Sequence, residues 1–457
     1  MSTQSPSRNH DPLALQRELQ ELSEVVSPTD LVDLLLERAF GMHATDLHFD
    51  PTEEGMRVRL RKDGRLHDIL NLYRDSSQQV VSRLKLLADL DITERRIAQD
   101  GHISNFSTKS GRRDVRIATS PTVHGERVVL RLMPDTSQLQ NLEDLGLAEE
   151  QQADLRKMLD VPYGTILAAG PVGSGKTTAM YACLGELNES DQSVVTIEDP
   201  VERRIAGMSQ IQIDPRVDFG FPDALKGCLR QDPDVMMVGE IRDAETAQIA
   251  CRAGLTGVTV LSTIHANDTA TTIDVLREFG IPPMFIAESL VGVVSMRLVR
   301  KICEHCRELY EADEATAAAL SAGSEGDAEP SAEARDESSS EPHGLPVHDH
   351  QGQHAAPAAE DDGPTDDSGE PLMLARGAGC GSCFGTGYAG RTGIFELLVV
   401  DKDVRKAIVR ERPADEIKKI ARRRGFMTLS DAARRKVLDH ETTTEEYFET
   451  LTFETRR

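Results

Sequence analysis

The chain has 457 residues, enough for about two to four domains, and its 39% hydrophobic residues and 34 glycines are ordinary globular values. With 77 acidic against 52 basic side chains, a net charge of −25, it does not look like a protein whose main work is coating nucleic acid or anionic lipid, since those partners require a basic surface. The N-terminus lacks the apolar stretch of a secretory signal, and no run reaches the ~18 apolar residues of a membrane span, so the expected address is cytoplasmic.

No internal repeat is visible at solenoid or propeller periods. Residues 1–27 read as an N-terminal arm with helical spacing of Leu13, Leu15, Leu19 and Leu22. Residues 28–137 alternate helix and strand: Leu31–Ala39 has helical periodicity, and Met56–Leu60 and Val128–Leu132 are strand-like. A polar linker is expected at 138–145. From 146 to 300, the β-rich runs Thr165–Ala169, Ser193–Ile197, Val235–Val238 and Val258–Ser262 are separated by helical stretches, which predicts a parallel α/β sheet. The most apolar window, Leu290 to Val299, is broken by Ser295 and Arg297. Residues 311–375 then change composition abruptly. They lack aromatic residues and cannot bury enough surface to offset their ordering entropy, so they are expected to be disordered. That stretch carries 17 acidic side chains and one basic one, so the rest of the chain has a net charge of only −9. Residues 394–457 read as a C-terminal helical subdomain.

The run Gly170-Pro171-Val172-Gly173-Ser174-Gly175-Lys176-Thr177 satisfies G-x-x-x-x-G-K-[ST] between an apolar strand and a helical segment. The glycines let backbone N–H groups curl round phosphates, Lys176 reaches the β- and γ-phosphates of ATP, and the Thr177 hydroxyl serves Mg²⁺. The alternative is a glycine-rich turn with a chance Lys-Thr. Three later strands also end in polar residues. Asp234-VMMV-Gly239 runs into Glu240, which could hold the magnesium hydration shell or orient the attacking water. Val194–Ile197 ends in Glu198, and Val258–Ser262 leads to His265. Singly, each reads equally well as a helix cap or a satisfied loop polar. Together they fall where open parallel sheets bind ligands, beyond the carboxyl ends of the strands.

Cys303-x-x-Cys306 and Cys380-x-x-Cys383 form a four-thiolate set suited to structural, tetrahedral Zn²⁺, with two redox pairs or unrelated thiols as the alternative. The 73 intervening residues are no obstacle: doubling a flexible loop costs only ~0.6 kcal/mol. Cys183, Cys228 and Cys251 read as buried packing residues. His343, His348, His350 and His354 read as solvated linker residues. The basic clusters Arg422–Arg424 and Arg434–Lys436 have no interleaved aromatics, so they read as exposed helix faces or subunit contacts.

TIEDPVE at 196–202, LRQDPDVMMVGEIRD at 229–243 and LSTIHAND at 261–268 resemble the acidic box, second nucleotide motif and histidine box of the type II secretion and type IV pilus assembly ATPases. ATDLHFDP at 44–51, DVRIATSPTVHGERVVLRLM at 114–133 and CGSCFGTGYAGRTGIFELL at 380–398 extend the likeness over most of the chain. The resemblance implies a RecA-like ATPase core (146–300) preceded by a smaller α/β, PAS-like domain, with a zinc module at 301–393 interrupted by the acidic insertion. It implies a cytoplasmic homo-hexamer, peripheral to the inner membrane through platform proteins, that drives pseudopilus or pilus assembly without nucleic acid. Glu240 would support hydrolysis, Glu198 would polarise water, and His265 would sense the γ-phosphate. Arg116 and Arg131 would reach the nucleotide at a subunit boundary. The zinc module favours the assembly branch over retraction motors. Two positions depart from the family pattern: Val258 stands where a first histidine is usual, and Lys226 stands where an arginine is. The rival readings are a RecA-like DNA translocase or helicase, and a nucleotide-binding scaffold with weakened hydrolysis.

Overall fold

A computed structural model of the chain describes residues 12–109, 111–133, 141–188, 190–322 and 371–455. The first domain comprises α1 (Pro12–Ser23), α2 (Pro28–Gly41), β1 (Asp46–Pro51), β2 (Gly55–Lys62), β3 (Arg65–Tyr73), α3 (Arg74–Leu87), β4 (Gln99–Thr108), β5 (Gly111–Thr122) and β6 (Gly125–Leu132). Its six strands pair in the order β3-β2-β1-β6-β5-β4, antiparallel throughout. Strand residues alternate in burial along β2 and β5, as expected when one face meets the core and the other meets water. The core is completed by Leu31, Val32, Leu35 and Leu36 of α2 and Val80 and Leu84 of α3.

The expected arm corrects itself here. Leu15 and Leu19, one helical turn apart on α1, are buried in this same core, and Gln20 exchanges hydrogen bonds with the Asn71 backbone on β3. From residue 12 onward the segment is therefore part of the domain.

The second domain runs through α4 (Glu149–Leu159), β7 (Gly164–Ala169), α5 (Lys176–Leu187), β8 (Val194–Glu198), β9 (Ser209–Gln212), α6 (Phe221–Cys228), β10 (Val235–Ile241), α7 (Ala244–Leu255), β11 (Thr259–Ile264), α8 (Thr269–Glu278), α9 (Pro283–Ser289) and β12 (Leu290–Ile302). The stretch expected to be a linker divides. Its first residues lie outside the described ones, while Leu142–Leu145 forms a 3-10 turn whose two leucines are buried in this domain's core. The sheet order is β15-β12-β7-β11-β10-β8-β9, where β15 is Tyr388–Val399. All neighbours are parallel except β12 with β15. Both faces are covered: Leu167, Ile197, Val238 and Val260 face α6 to α9, while Ile166, Val194, Met237 and Leu261 face α4 and α5. That is why the central strands read as continuous apolar runs.

In sequence, the two cysteine pairs lie on either side of a two-stranded sheet of β13 (Arg307–Glu311) and β14 (Met373–Gly377). Residues 309–374 form a unit of their own, which includes α10 (Glu314–Ala322). The margins of the stretch expected to be disordered are thus structured, and residues 323–370 with their four histidines lie outside the described residues. The reason is local propensity. EATAAALSA is dominated by alanine, the best helix former, and Asp313 accepts a hydrogen bond from Thr316 N in the first turn. After β15, the chain closes with α11 (Lys402–Val409), α12 (Ala414–Arg422), α13 (Leu429–Leu438) and α14 (Thr444–Thr455). The expected helical subdomain therefore begins with a strand that completes the second domain's sheet, and its helices follow that edge.

Candidate functional site

The phosphate loop joins the C-terminal end of β7 to the N-terminus of α5. Gly170, Gly173 and Gly175 have φ of 146°, 79° and 97°, a region closed to most side chains. At Gly170 the requirement is also steric, because an added Cβ would lie 2.5 Å from Ser174 Oγ and 2.7 Å from Met296 O. Pro171, Val172 and Gly173 form the exposed crown, whereas Ser174 is buried and its Oγ has no hydrogen-bond partner. The first turn of α5 carries no acidic residue, and Gly175 supplies no side-chain cap. The loop therefore offers free helix-terminal N–H groups, a buried hydroxyl in need of a partner and a lysine in one place, which is the donor set a phosphate requires.

Lys176 Nζ donates to Gly170 O (2.7 Å) and Pro171 O (3.0 Å). Burial holds its pKa below the usual lysine value; Glu240 opposes that shift and Arg297 adds to it. An anionic phosphate at the loop mouth would push the pKa back up and hold the proton on nitrogen. Thr177, half-buried, follows on the first turn of α5.

Register explains why distant motifs meet. Ile197, Val238 and Ser262 are aligned across β8, β10 and β11, so Glu198, Glu240 and His265 emerge from the same edge of the sheet as the phosphate loop. Glu240 pairs with Arg242 and lies 3.6 Å from His265 Nε2. Arg242 also approaches Asp199 at 3.8 Å. Glu198 behaves differently. It is buried and its carboxylate accepts from Tyr181 Oη, from Thr196 Oγ1 (2.6 Å) and from Gln210 Nε2 (3.2 Å). Burial, followed by the bond to Glu198, holds the Tyr181 phenol far above its ordinary pKa, so it acts purely as a donor. Glu198 is only 3% exposed, so it could meet a water molecule only after the packing round it, held by these bonds, opened. Tyr181→Phe is expected to cost about 1.5–3 kcal/mol of stability through loss of a hydrogen bond to a buried carboxylate. Chemical denaturation of wild type and variant would measure it, and an unchanged midpoint would refute it.

Arg116 and Arg131 are direct cross-strand partners on β5 and β6 of the first domain. Arg131 is exposed and lies 3.5 Å from Asp46. Among the described residues, neither makes a hydrogen bond or ion pair with the phosphate loop of its own chain. The two departures lie away from the phosphates. Val258 is buried just before β11, roughly 20 Å from His265 at ~3.3 Å per strand residue, and Lys226 sits on the exposed face of α6, 2.7 Å from Glu245.

The four cysteines converge as spacing suggested. Their sulfurs all lie within 4.8 Å of one another, with Cys303–Cys380 at 3.9 Å and Cys306–Cys383 at 3.8 Å. A tetrahedron with Zn–S near 2.3 Å needs sulfurs about 3.8 Å apart, so the set fits such an ion. Backbone N–H groups of Cys380 and Gly387 donate to Cys383 Sγ. Burial pushes the Cys306 thiol up to about 12, so without a cation this sulfur keeps its proton. Cys183, Cys228 and Cys251 are buried in the sheet–helix layers.

Sequence reasoning missed Tyr181, Arg242 and Arg297. Arg242 stands two residues after Glu240, close enough to have been considered. Arg297 reaches the loop only because β12 lies beside β7, and it donates to Asn267 O at 2.7 Å.

A profile of the type II/IV secretion system protein family matches residues 21–449. The chain is 39% identical over 443 residues to type II secretion system protein E of Pseudomonas aeruginosa, covering 95% of this chain and 79% of that protein. It is 38% identical to the type IV pilus assembly ATPase PilB of Thermus thermophilus over 93% of this chain and 44% of that protein. In structure it is similar to the Legionella pneumophila ATPase DotB, with a TM-score of 0.62, 19% identity and coverage of 93% and 96% of the two chains.

Proposed function

The chain belongs to the type II/IV secretion system protein family and is a P-loop ATPase, and from that premise we propose how its site works. ATP binds with its phosphates in the Gly170–Thr177 loop, held by the α5 N-terminal amides and by Lys176, with Mg²⁺ at Thr177. Glu240 orients the attacking water, and His265, 3.6 Å from it, responds to the γ-phosphate. Glu198 anchors β8 to α5 through Tyr181 and takes part in water activation only when that bond opens. Arg131, which is exposed, and Arg116, half-buried beside it on the next strand, serve the loop of a neighbouring copy in a hexamer, where an arginine can contribute roughly 10³–10⁵ in rate. The four cysteines hold a structural Zn²⁺.

The hexamer works at the cytoplasmic face of the inner membrane, held there by platform proteins, and its hydrolysis drives pseudopilus or pilus assembly. No helix among the described residues is long and apolar enough to cross a membrane, which is compatible with attachment through partners. The observation that carries this reading is the convergence of Glu240 and His265 on a phosphate loop whose helix N-terminus has no internal cap.

ATP turnover measured against protein concentration, with and without DNA, tests it. Turnover per chain is expected to rise with concentration as copies assemble, and to ignore DNA. Stimulation by DNA would support a translocase, and absence of turnover at every concentration would support a scaffold.

A further inference from the structure

We propose that Lys418 and Glu396 form a clasp that positions the histidine loop for hydrolysis, making Lys418 a positioning residue supplied by the C-terminal helices. The inference rests on the reading of Glu240 and His265 as the γ-phosphate end of the site.

The loop at stake is short. His265, Ala266 and Asn267 separate β11 from Asp268, the N-cap of α8, whose carboxylate accepts from Thr271 N at 2.8 Å. On one side Arg297 donates to Asn267 O. On the other, the loop is held from elements more than a hundred residues further along the chain. Glu396 on β15 is completely buried, and its Oε1 accepts from Thr269 N (2.9 Å) and Thr269 Oγ1 (2.6 Å). Its Oε2 is buried with no hydrogen-bond partner. Lys418 Nζ on α12 lies 3.1 Å from Asp268 Oδ2 and 3.8 Å from Glu396 Oε2.

One ammonium group therefore serves two carboxylates that are themselves almost fully buried. Without it, two like charges would share a low-dielectric space and repel each other. The cheapest relief is for the start of α8 to move, because its two acceptors for Thr269 and Thr271 are the charges in conflict. That movement carries His265 away from Glu240, since only Ala266 and Asn267 lie between. The same geometry works in reverse. A shift of α12 changes the grip on the histidine loop, so the C-terminal helices and the γ-phosphate end are coupled through one side chain.

Steady-state ATP turnover, binding of a fluorescent ATP analogue and thermal melting of the full chain test the clasp. Lys418→Met is expected to lower kcat roughly 10- to 100-fold, the range for a small misplacement of a reacting group. Analogue affinity should change by less than about threefold, the signature of a contact needed only for turnover. Lys418→Met combined with Glu396→Gln should regain part of the loss, because it removes one of the two opposed charges while keeping the acceptor for Thr269. If Lys418→Met does not fold, Lys418→Gln, which keeps a donor and drops only the charge, must show the same fall. Unchanged kcat in a folded Lys418 variant, or a loss that only tracks the unfolded fraction on melting, overturns the clasp. Glu240→Gln run alongside separates the two readings: full turnover in that variant overturns the site itself, whereas its inactivity beside an unaffected Lys418 variant overturns the clasp alone.

Discussion

Lys176→Ala is expected to lower ATP turnover by at least roughly 10²–10³-fold, the range seen when one preorganised charge-stabilising group is removed from a transition state. The reason is the scarcity of positive charge at this loop. Lys176 is buried with its Nζ against two loop carbonyls; Arg297, whose charge acts on it, donates to Asn267 O and Met296 O, and Arg242 pairs with Glu240 and approaches Asp199. Both are guanidinium groups with partners of their own. Phosphoryl transfer needs little covalent help from the protein and much charge stabilisation, so no neighbouring group compensates. Alanine also leaves the fold intact, because Lys176 is the first residue of α5 and alanine is a strong helix former. Turnover of purified wild type and variant at equal concentration, with melting temperatures compared, measures the effect. Comparable turnover in the folded variant would show that this loop is not where ATP is hydrolysed.

The second large effect concerns the cysteines. The purified chain is expected to carry about one zinc ion, and its removal by a strong chelator, or Cys380→Ser, should cost several kcal/mol of local stability. Isolated zinc fingers gain roughly 10–16 kcal/mol from the metal; less is expected here, because β12 and β15 remain paired across the base of the module. The loss should nonetheless spread beyond the cysteines. Phe384, next to Cys383, is buried in the core of the first domain, with its ring 5.4 Å from that of His67 and Lys62 Nζ 5.1 Å from its centroid. Gly390 N donates to Asp63 Oδ2 across the same boundary. The segment that carries Cys380 and Cys383 thus pins the first domain to the ATPase sheet, and removal of a bound ion should expose the segments around residues 62–67 and 380–390 together to proteolysis. Elemental analysis for zinc and limited proteolysis with and without chelator check this. A chain that carries no metal, or one in which Cys380→Ser changes nothing, would rule it out.

How much of this was legible in the sequence depends on how local each requirement is. A phosphate is bound by consecutive backbone amides, so the loop must be written as consecutive residues, and Gly170 to Thr177 could be read directly. Strand ends carrying Glu198, Glu240 and His265 were visible because both faces of the central sheet are covered, which makes its strands conspicuous apolar runs. The four cysteines stood out because each pair has the short spacing that a shared structural cation requires. Composition was a poorer guide at the margins. Alanine propensity made α10 a helix where low burial suggested disorder, and two leucines of the supposed arm found a core that no local pattern could reveal.

The sequence by itself determined the chemistry available: a phosphate loop, two acidic strand ends and a histidine one, two pairs of cysteines and a charge excess concentrated in one stretch. The tertiary structure alone decided how those groups are held. Whether Glu198 faces water or Tyr181, which arginine lies beside Lys176, and which lysine neutralises Asp268 and Glu396 all follow from strand order and helix packing between residues up to 150 positions apart. A side chain's neighbours across a sheet leave no periodic trace in the chain, whereas a loop that wraps a phosphate is its own neighbourhood.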